Sequence, residues 1–165
     1  MAGQKSVNVV LTHDSVATAP FALAIADTAP AIFTTTQTGK GQGAIQNATG
    51  PASSIANSTD NPAAKGSGIA IFATGGGALN QPVQDGSIPL NVLEPPGYIP
   101  AAALSLTIGG QPAKILYAGL APYEVSGMLQ INAVVPAAIG SGTQPVVLTI
   151  GDNDNAAQQV TVAVK

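Results

Sequence analysis

Cysteine, tryptophan and arginine are all absent from this chain of 165 residues. Without cysteine there is no disulfide framework and no thiolate metal site. Without arginine, the cations reduce to five lysines (5, 40, 65, 114 and 165), set against eight acids for a net charge of −3. Nucleic-acid binding needs a basic face that neutralises phosphates, and these residues cannot assemble one. Charged residues of both signs make up only 8% of the chain, against roughly 25% in an average soluble domain. One histidine, His13, and three tyrosines leave little material for acid–base chemistry or for a sugar-stacking platform. No apolar run approaches the roughly 20 residues of a membrane-crossing helix. The first ten residues hold one lysine and too short an apolar run for a signal peptide, so the start reads as that of a mature or trimmed chain.

What is present points to strands. Apolar residues reach 45%, enough for a sizeable core, while 19 glycines and 13 prolines are spread along the whole length. Few windows can sustain a ten-residue helix under that spacing. Short apolar runs bounded by Gly, Pro, Asn or Asp recur instead. They predict strands over 6–13, 21–26, 31–35, 43–46, 68–73, 104–108, 113–117, 129–135, 146–150 and 159–164. In the run 129–135, Leu129, Ile131, Ala133 and Val135 share one face, while Gln130 and Asn132 share the other. By the same alternation Tyr117 joins Ala113 and Ile115 on a core face. Ten short strands without a helical crossover predict an all-β, antiparallel sandwich. Segments 36–65 and 75–103 read as extended surface loops with short strands inside them, rich in Gly, Pro, Ser and Asn, whose polar side chains supply the solubility that charge does not. Pro95-Pro96-Gly97 marks a turn, and Asp152-Asn153-Asp154-Asn155 the tip of a hairpin joining the last two strands.

One pattern occurs twice. Val7-Asn8-Val9-Val10-Leu11-Thr12, a polar turn and Phe21-Ala22-Leu23-Ala24-Ile25-Ala26 match the closing pair, Pro145-Val146-Val147-Leu148-Thr149-Ile150 and Gln159-Val160-Thr161-Val162-Ala163-Val164. Residues 1–28 therefore read as an extra hairpin beside a sandwich over 29–165. It either packs back on that sandwich as added strands, forms the tail of a preceding module, or pairs with the open edge of another molecule. Packing in cis is the simplest reading, because it removes an exposed edge. The residues expected to carry strand pairing are Val7, Val9, Leu11, Phe21, Leu23 and Ile25.

A series of short segments carries a family resemblance. It runs from Thr28-Ala29-Pro30-Ala31-Ile32-Phe33-Thr34 through Asn61-Pro62-Ala63-Ala64-Lys65-Gly66 and Ile71-Phe72-Ala73-Thr74-Gly75-Gly76-Gly77. Asp85-Gly86, Ile108-Gly109-Gly110-Gln111-Pro112-Ala113 and Leu116-Tyr117-Ala118-Gly119-Leu120-Ala121-Pro122 follow. Gln130-Ile131-Asn132, Val135-Pro136 and Pro145-Val146-Val147-Leu148-Thr149-Ile150-Gly151 complete it. In this order, over about 29–165, the chain resembles the uncharacterised C-terminal domain of acidobacterial (Solibacter-type) secreted proteins. The resemblance implies an immunoglobulin-like sandwich at the end of a large exported protein, with no enzymatic activity, cofactor or catalytic residue. Two stretches depart from the family pattern, 123–129 and the Asp152–Asn155 turn.

Candidate sites are few. His13 beside Asp14 lacks a nucleophile elbow and reads as a solvated turn histidine. The acids Asp85, Asp152 and Asp154 sit in turns, with Glu94 and Glu124 in loops, and no pair is marked for glycoside hydrolysis. Asp152 and Asp154 offer alternate oxygen ligands of the kind Ca²⁺ accepts, but the distal bidentate Glu of an EF-hand loop is missing. The glycine clusters 39–43 and 75–77 lack the strand-then-helix context of a phosphate loop and read as turns. Tyr98 and Tyr123, in loops, are the candidate ligand patch. Asn47-Ala48-Thr49 and Asn57-Ser58-Thr59 match the glycosylation pattern at Asn47 and Asn57. A Lys114–Asn132 crosslink assisted by Glu124 would need a geometry that the sequence does not fix.

These features together predict a non-catalytic, extracellular or cell-surface, structural or adhesive immunoglobulin-like module without cofactor. Its expected partner is protein, including itself through strand-edge pairing. The alternative is a carbohydrate-binding module whose partner is a polysaccharide. Nucleic-acid partners and a membrane span are not expected.

Overall fold

The computed structural model of the chain describes residues 4–50, 53–90, 92 and 97–165. In chain order its strands are β1 (Ser6–Val9), β2 (Thr12–His13), β3 (Val16–Ala17), β4 (Phe21–Ala24), β5 (Ala31–Ile32), β6 (Gly41–Gln42), β7 (Ile45–Gly50) and β8 (Ser53–Ala56). There follow β9 (Gly68–Thr74), β10 (Leu104–Ile108), β11 (Gln111–Pro112), β12 (Lys114–Leu120), β13 (Leu129–Val134), β14 (Gly142–Ile150), β15 (Asn153–Asp154) and β16 (Val160–Val164). One turn of 3₁₀ helix, Ala156–Gln158, precedes β16, and the described residues contain no α-helix. None of them forms a helix long and apolar enough to cross a membrane.

The class is all-β, and its body is two six-stranded sheets. One runs β11-β10-β14-β16-β6, with β15 paired to β14. The other runs β12-β13-β9-β7-β8, with β5 on the same edge of β9 as β7. Strand alternation explains why they stack. Ile69, Ile71 and Ala73 on β9, with Leu129, Ile131 and Ala133 on β13, project into one cluster. The same cluster holds Leu106 and Ile108 of β10, Val146, Leu148 and Ile150 of β14, and Val160, Val162 and Val164 of β16. Each strand presents its period-2 apolar face inward, which makes the pair of sheets a sandwich. Almost all ladders are antiparallel, as the sequence predicts. The exceptions lie on β16: β6 runs parallel to it with Gly41 opposite Val160, and Ala63 makes a single parallel bridge to Val164.

The chain changes sheets twice over very short distances. β6 belongs to one sheet and β7 to the other, with only Gly43 and Ala44 between them. β11 and β12 likewise fall in opposite sheets, separated by Ala113 alone. On β12 a register shift follows Ile115, so Tyr117 pairs with Asn132 and Ala118 with the fully buried Ile131. Tyr117 therefore lies on the outer face, and the core face expected for it from simple alternation is taken by Ala118. Its hydroxyl donates to the Leu120 carbonyl at 2.6 Å. The ring crosses Gly119, where a Cβ would lie 2.7 Å from that hydroxyl.

Three parts of the loop reading change. β7 (Ile45–Gly50) pairs with β8 (Ser53–Ala56), a longer pairing than the short strand expected over 43–46 within this segment. Segment 75–103 is more than surface: Val92 within it is fully buried, and Leu79, Val83, Tyr98 and Ala102 pack on the core. The expected Pro95-Pro96-Gly97 turn and Glu94 lie outside the described residues, Gly97 excepted. Thirdly, Thr28, Thr34, Asn47, Asn57 and Asn155 are buried, so these polar residues serve the interior and not solubility. Gly75 shows why the triple glycine is needed. It has a φ of 78°, and any Cβ there would fall 1.8 Å from the Ala29 carbonyl oxygen, whose own amide donates to Gly75.

Among the described residues, β1 pairs only with β4 and β2 only with β3, and no residue before Ile32 belongs to the core cluster. The described residues thus show no packing in cis, the simplest expectation, for 6–24.

Candidate functional site

The feature that stands apart from the sandwich is this two-stranded ribbon. Its register pairs Val7 with Leu23 and Val9 with Phe21, then Thr12 with Ala17 and His13 with Val16. Between the two ladders the first strand has two residues and the second has three, Thr18, Ala19 and Pro20. The ladder slips there, next to a proline that has no N–H to donate. Thr18 closes the gap, with its amide donating to the Leu11 carbonyl and its hydroxyl accepting from the Leu11 amide. At the base the Ile25 amide donates to the Lys5 carbonyl.

Because cross-strand partners share a face, Val7, Val9, Leu11, Phe21, Leu23 and Ile25 project together. Ser6, Asn8, Ala22 and Ala24 occupy the reverse. The apolar face is open: Leu23 is 45% exposed, Val9 46%, Phe21 66% and Leu11 67%, while Val10 on the reverse is 48% exposed and Val16, opposite His13 at the tip, 74%. Isolated exposed apolar residues are ordinary, but a contiguous row along one ribbon face is not. The ribbon's charges sit only at its ends. Lys5 and Asp27 meet at 3.4 Å at the base, and His13 and Asp14 at 3.4 Å at the tip. All four side chains are largely exposed.

An open cleft of about 1110 Å³ lies at the ribbon's base, lined in part by Ile25, Asp27, Gly76, Leu79, Val83 and Leu129. Its hydroxyls are tied down: Thr74 donates to the Gly127 carbonyl, and Ser126 accepts from the Gly86 amide. Among the described residues, Asp27 and Asp85 are the only titratable side chains on its wall.

The remaining candidates fall apart spatially. Asp154 accepts from the Ala156 amide at 2.9 Å, just ahead of the 3₁₀ turn, and Asp152 is exposed. Asn153 donates to Thr28, while Asn155 is buried, accepting from the Leu148 amide and donating to Gln158. Thus two of the four residues expected at a polar tip are tied into the body. No group of three or more His, Cys, Asp or Glu side chains suited to a metal ion occurs among the described residues. Tyr123, with a φ of 64°, is 78% exposed, whereas Tyr98 packs against the core and its carbonyl accepts from Leu120. The two do not form an exposed pair of rings. Lys114 lies opposite Val134 and Asn132 opposite Tyr117, with Glu124 in an exposed turn, so the crosslink set is not assembled.

Asn47 and Asn57 require a correction. Both are buried, Asn57 to 2% exposure. The Asn57 amide nitrogen donates to Asn47 Oδ1 at 2.9 Å and to the Ala163 carbonyl at 2.9 Å. Its oxygen accepts from the Ala163 amide at 2.8 Å and from Gln42 Nε2 at 3.0 Å. Asn47 Nδ2 donates to the Asn61 carbonyl at 2.7 Å. Neither nitrogen is free to carry a glycan in the folded chain. Instead Asn57 fastens the end of β8 to β16 in the opposite sheet. The sequence pattern alone, an Asn within a polar segment, gives no sign of this.

No family model, curated protein or solved structure matches the chain.

Proposed function

We propose that this chain is a non-catalytic structural or adhesive module of the cell surface or extracellular space. In this reading the body is an immunoglobulin-like sandwich, and the ribbon joins it to a protein partner. The observation that carries the reading is the ribbon's uncovered apolar face on a body whose core is already complete without it. A two-stranded hairpin is marginal alone in water, so such a face is an element awaiting a partner.

The immunoglobulin-like assignment draws on strand order. Taking β5, β9, β13 and β12 as strands A, B, E and D, and β10, β14 and β16 as C, F and G, reproduces the two-sheet arrangement of that fold. The resemblance to the acidobacterial secreted family points the same way. The non-catalytic reading draws on the dispersal of the titratable groups: the one histidine sits on an exposed ribbon tip with Asp14. The polysaccharide alternative calls for paired exposed tyrosine rings, and of the proposed pair Tyr123 is exposed while Tyr98 packs on the core.

The test is a chain lacking residues 1–26, compared with the full chain by thermal unfolding and by binding of an apolar fluorescent dye. The body should keep a cooperative transition within about 3 °C, because no core residue is lost. Dye binding should fall sharply. A transition lowered by roughly 10 °C or more would make the ribbon part of the fold and end the reading.

A further inference from the structure

We infer that the ribbon's partner is a second copy of this chain, the two ribbons packing face to face and antiparallel about a two-fold axis beside Phe21. This rests on the reading of the ribbon as a docking element and adds the identity and geometry of what it docks.

Four observations carry it. The first is charge. Between its ends the ribbon carries none, while each end carries a cationic and an anionic residue or an ionisable pair: Lys5 with Asp27, and His13 with Asp14. Laying two ribbons antiparallel brings each base onto the other's tip, so Lys5 meets Asp14 of the second copy. A parallel arrangement, with β1 of one copy over β4 of the other, would set Lys5 against Asp27 of the second copy, so a second copy satisfies the charges in either direction. Exposed pairs of this kind add little affinity, and direction is left to the rings considered next.

The second is register. Lys5 to His13 spans eight steps, roughly 26 Å of strand at about 3.3 Å per residue. The midpoint is Val9, whose cross-strand partner is Phe21. Antiparallel overlap of base on tip therefore places the axis at the Val9–Phe21 pair, where two rings meet at the centre of the contact. Central aromatic side chains excluded from water are the usual anchors of an interface.

The third is face against edge. Joining ribbons by their strand edges would leave every apolar side chain in water, and Pro20 with the ladder slip interrupts the edge of the second strand. Stacking the faces covers Val7, Val9, Leu11, Phe21 and Leu23 of both copies at once, making a four-stranded miniature sandwich.

The fourth is area. Val9, Leu11, Phe21 and Leu23 at 45–67% exposure, with the half-buried Val7, amount to roughly 400 Å² per copy, so a symmetric pair buries roughly 800 Å², the range of weak, transient contacts. The dimer is accordingly weak and concentration-dependent.

Sedimentation equilibrium of the full chain, from low micromolar to several hundred micromolar, should fit a monomer–dimer equilibrium. Phe21→Lys should weaken it by about 100-fold or more, because an unpaired ammonium is forced into the centre of the contact. Phe21→Leu should stay within about tenfold of the parent. The body's melting transition, read in the same samples, should stay put in both variants. Since the chain has no cysteine, Phe21→Cys gives a clean geometric readout: mild oxidation should yield covalent dimers and nothing larger. Ile55→Cys, exposed on the body, should yield few. A dimer that survives Phe21→Lys, a ladder of larger species, or equal crosslinking of the two cysteine variants overturns the inference. So does a chain that stays monomeric throughout; with the truncation behaving as expected above, that result would leave the ribbon as a docking element for a different protein.

Discussion

Asn57 illustrates how much a single uncharged side chain can hold. Its amide satisfies both the N–H and the C=O of Ala163, 106 residues away, and pairs with Asn47 and Gln42 as well. No buried side-chain polar atom in the described residues is left without a partner. Asn57→Ala would orphan several buried groups at once, and each stranded group costs about 1–3 kcal/mol, partly offset by relaxation. We expect a net loss of about 3 kcal/mol and a melting point lower by roughly 10 °C in calorimetry. Ser58→Ala, one residue on and outside this network of buried amides, should change stability by less than about 0.5 kcal/mol. A second residue-scale effect concerns alkali. Burial raises the Tyr117 phenol above its ordinary value of 10. Above pH 10 the unfolded chain releases this proton before the folded chain does. The stability tied to the neutral phenol is complete below pH 10 and is lost as pH climbs to the folded-state value. Tyr117→Phe should therefore cost about 1 kcal/mol at neutral pH, and this deficit should shrink in denaturant titrations carried above pH 10.

At the level of strands, the apolar alternation in 129–135 and the closing pair translated directly into β13, β14 and β16, because burial on one face leaves a period that the eye can read. The β7–β8 pairing was legible only at its start, in the strand expected over 43–46, because the rest is held by backbone bonds and buried amides more than by apolar side chains. Tyr117 was misplaced for a different reason: one register shift after Ile115 inverts the face of every later residue, and such a shift has no signature in residue type. The ribbon was found by pattern, yet the alternation that identified it is the same in a packed and an unpacked hairpin. Sequence could name its apolar face but not what covers it. Hydrogen exchange separates the two situations. In dilute solution the amides of β1 and β4 should exchange at least about 100-fold faster than those of β9 and β13, which lie at the centre of a sheet. Their protection should rise with protein concentration if ribbons pair. Protection equal to that of β13 at every dilution would mean the ribbon is covered within one chain.

For the molecule as a whole, an all-β class and a sandwich follow from ten apolar runs and the lack of any helix-sustaining window. The sites proved less legible because the decisive facts are distances between residues far apart in sequence, such as Thr28 Oγ1 donating to the Ile150 carbonyl at 2.7 Å. Gln158 is another such joint, its amide both accepting from and donating to the backbone of Ile32. These side chains close the seams between sheets where backbone ladders stop, in a chain with too few charges to use ion pairs for the purpose.

The parallel contact of β6 with β16 has a mechanical consequence. It joins a segment near the start of the body to the last strand, with Gly43 donating to the Thr161 carbonyl and Lys165 to that of Ala63. Tension applied between the two ends of the body would pull these neighbours lengthwise past one another. Bonds loaded in that direction must rupture together, whereas an antiparallel pair pulled from one end would unzip rung by rung. A tether built this way stays shut under tugging until several links fail at once.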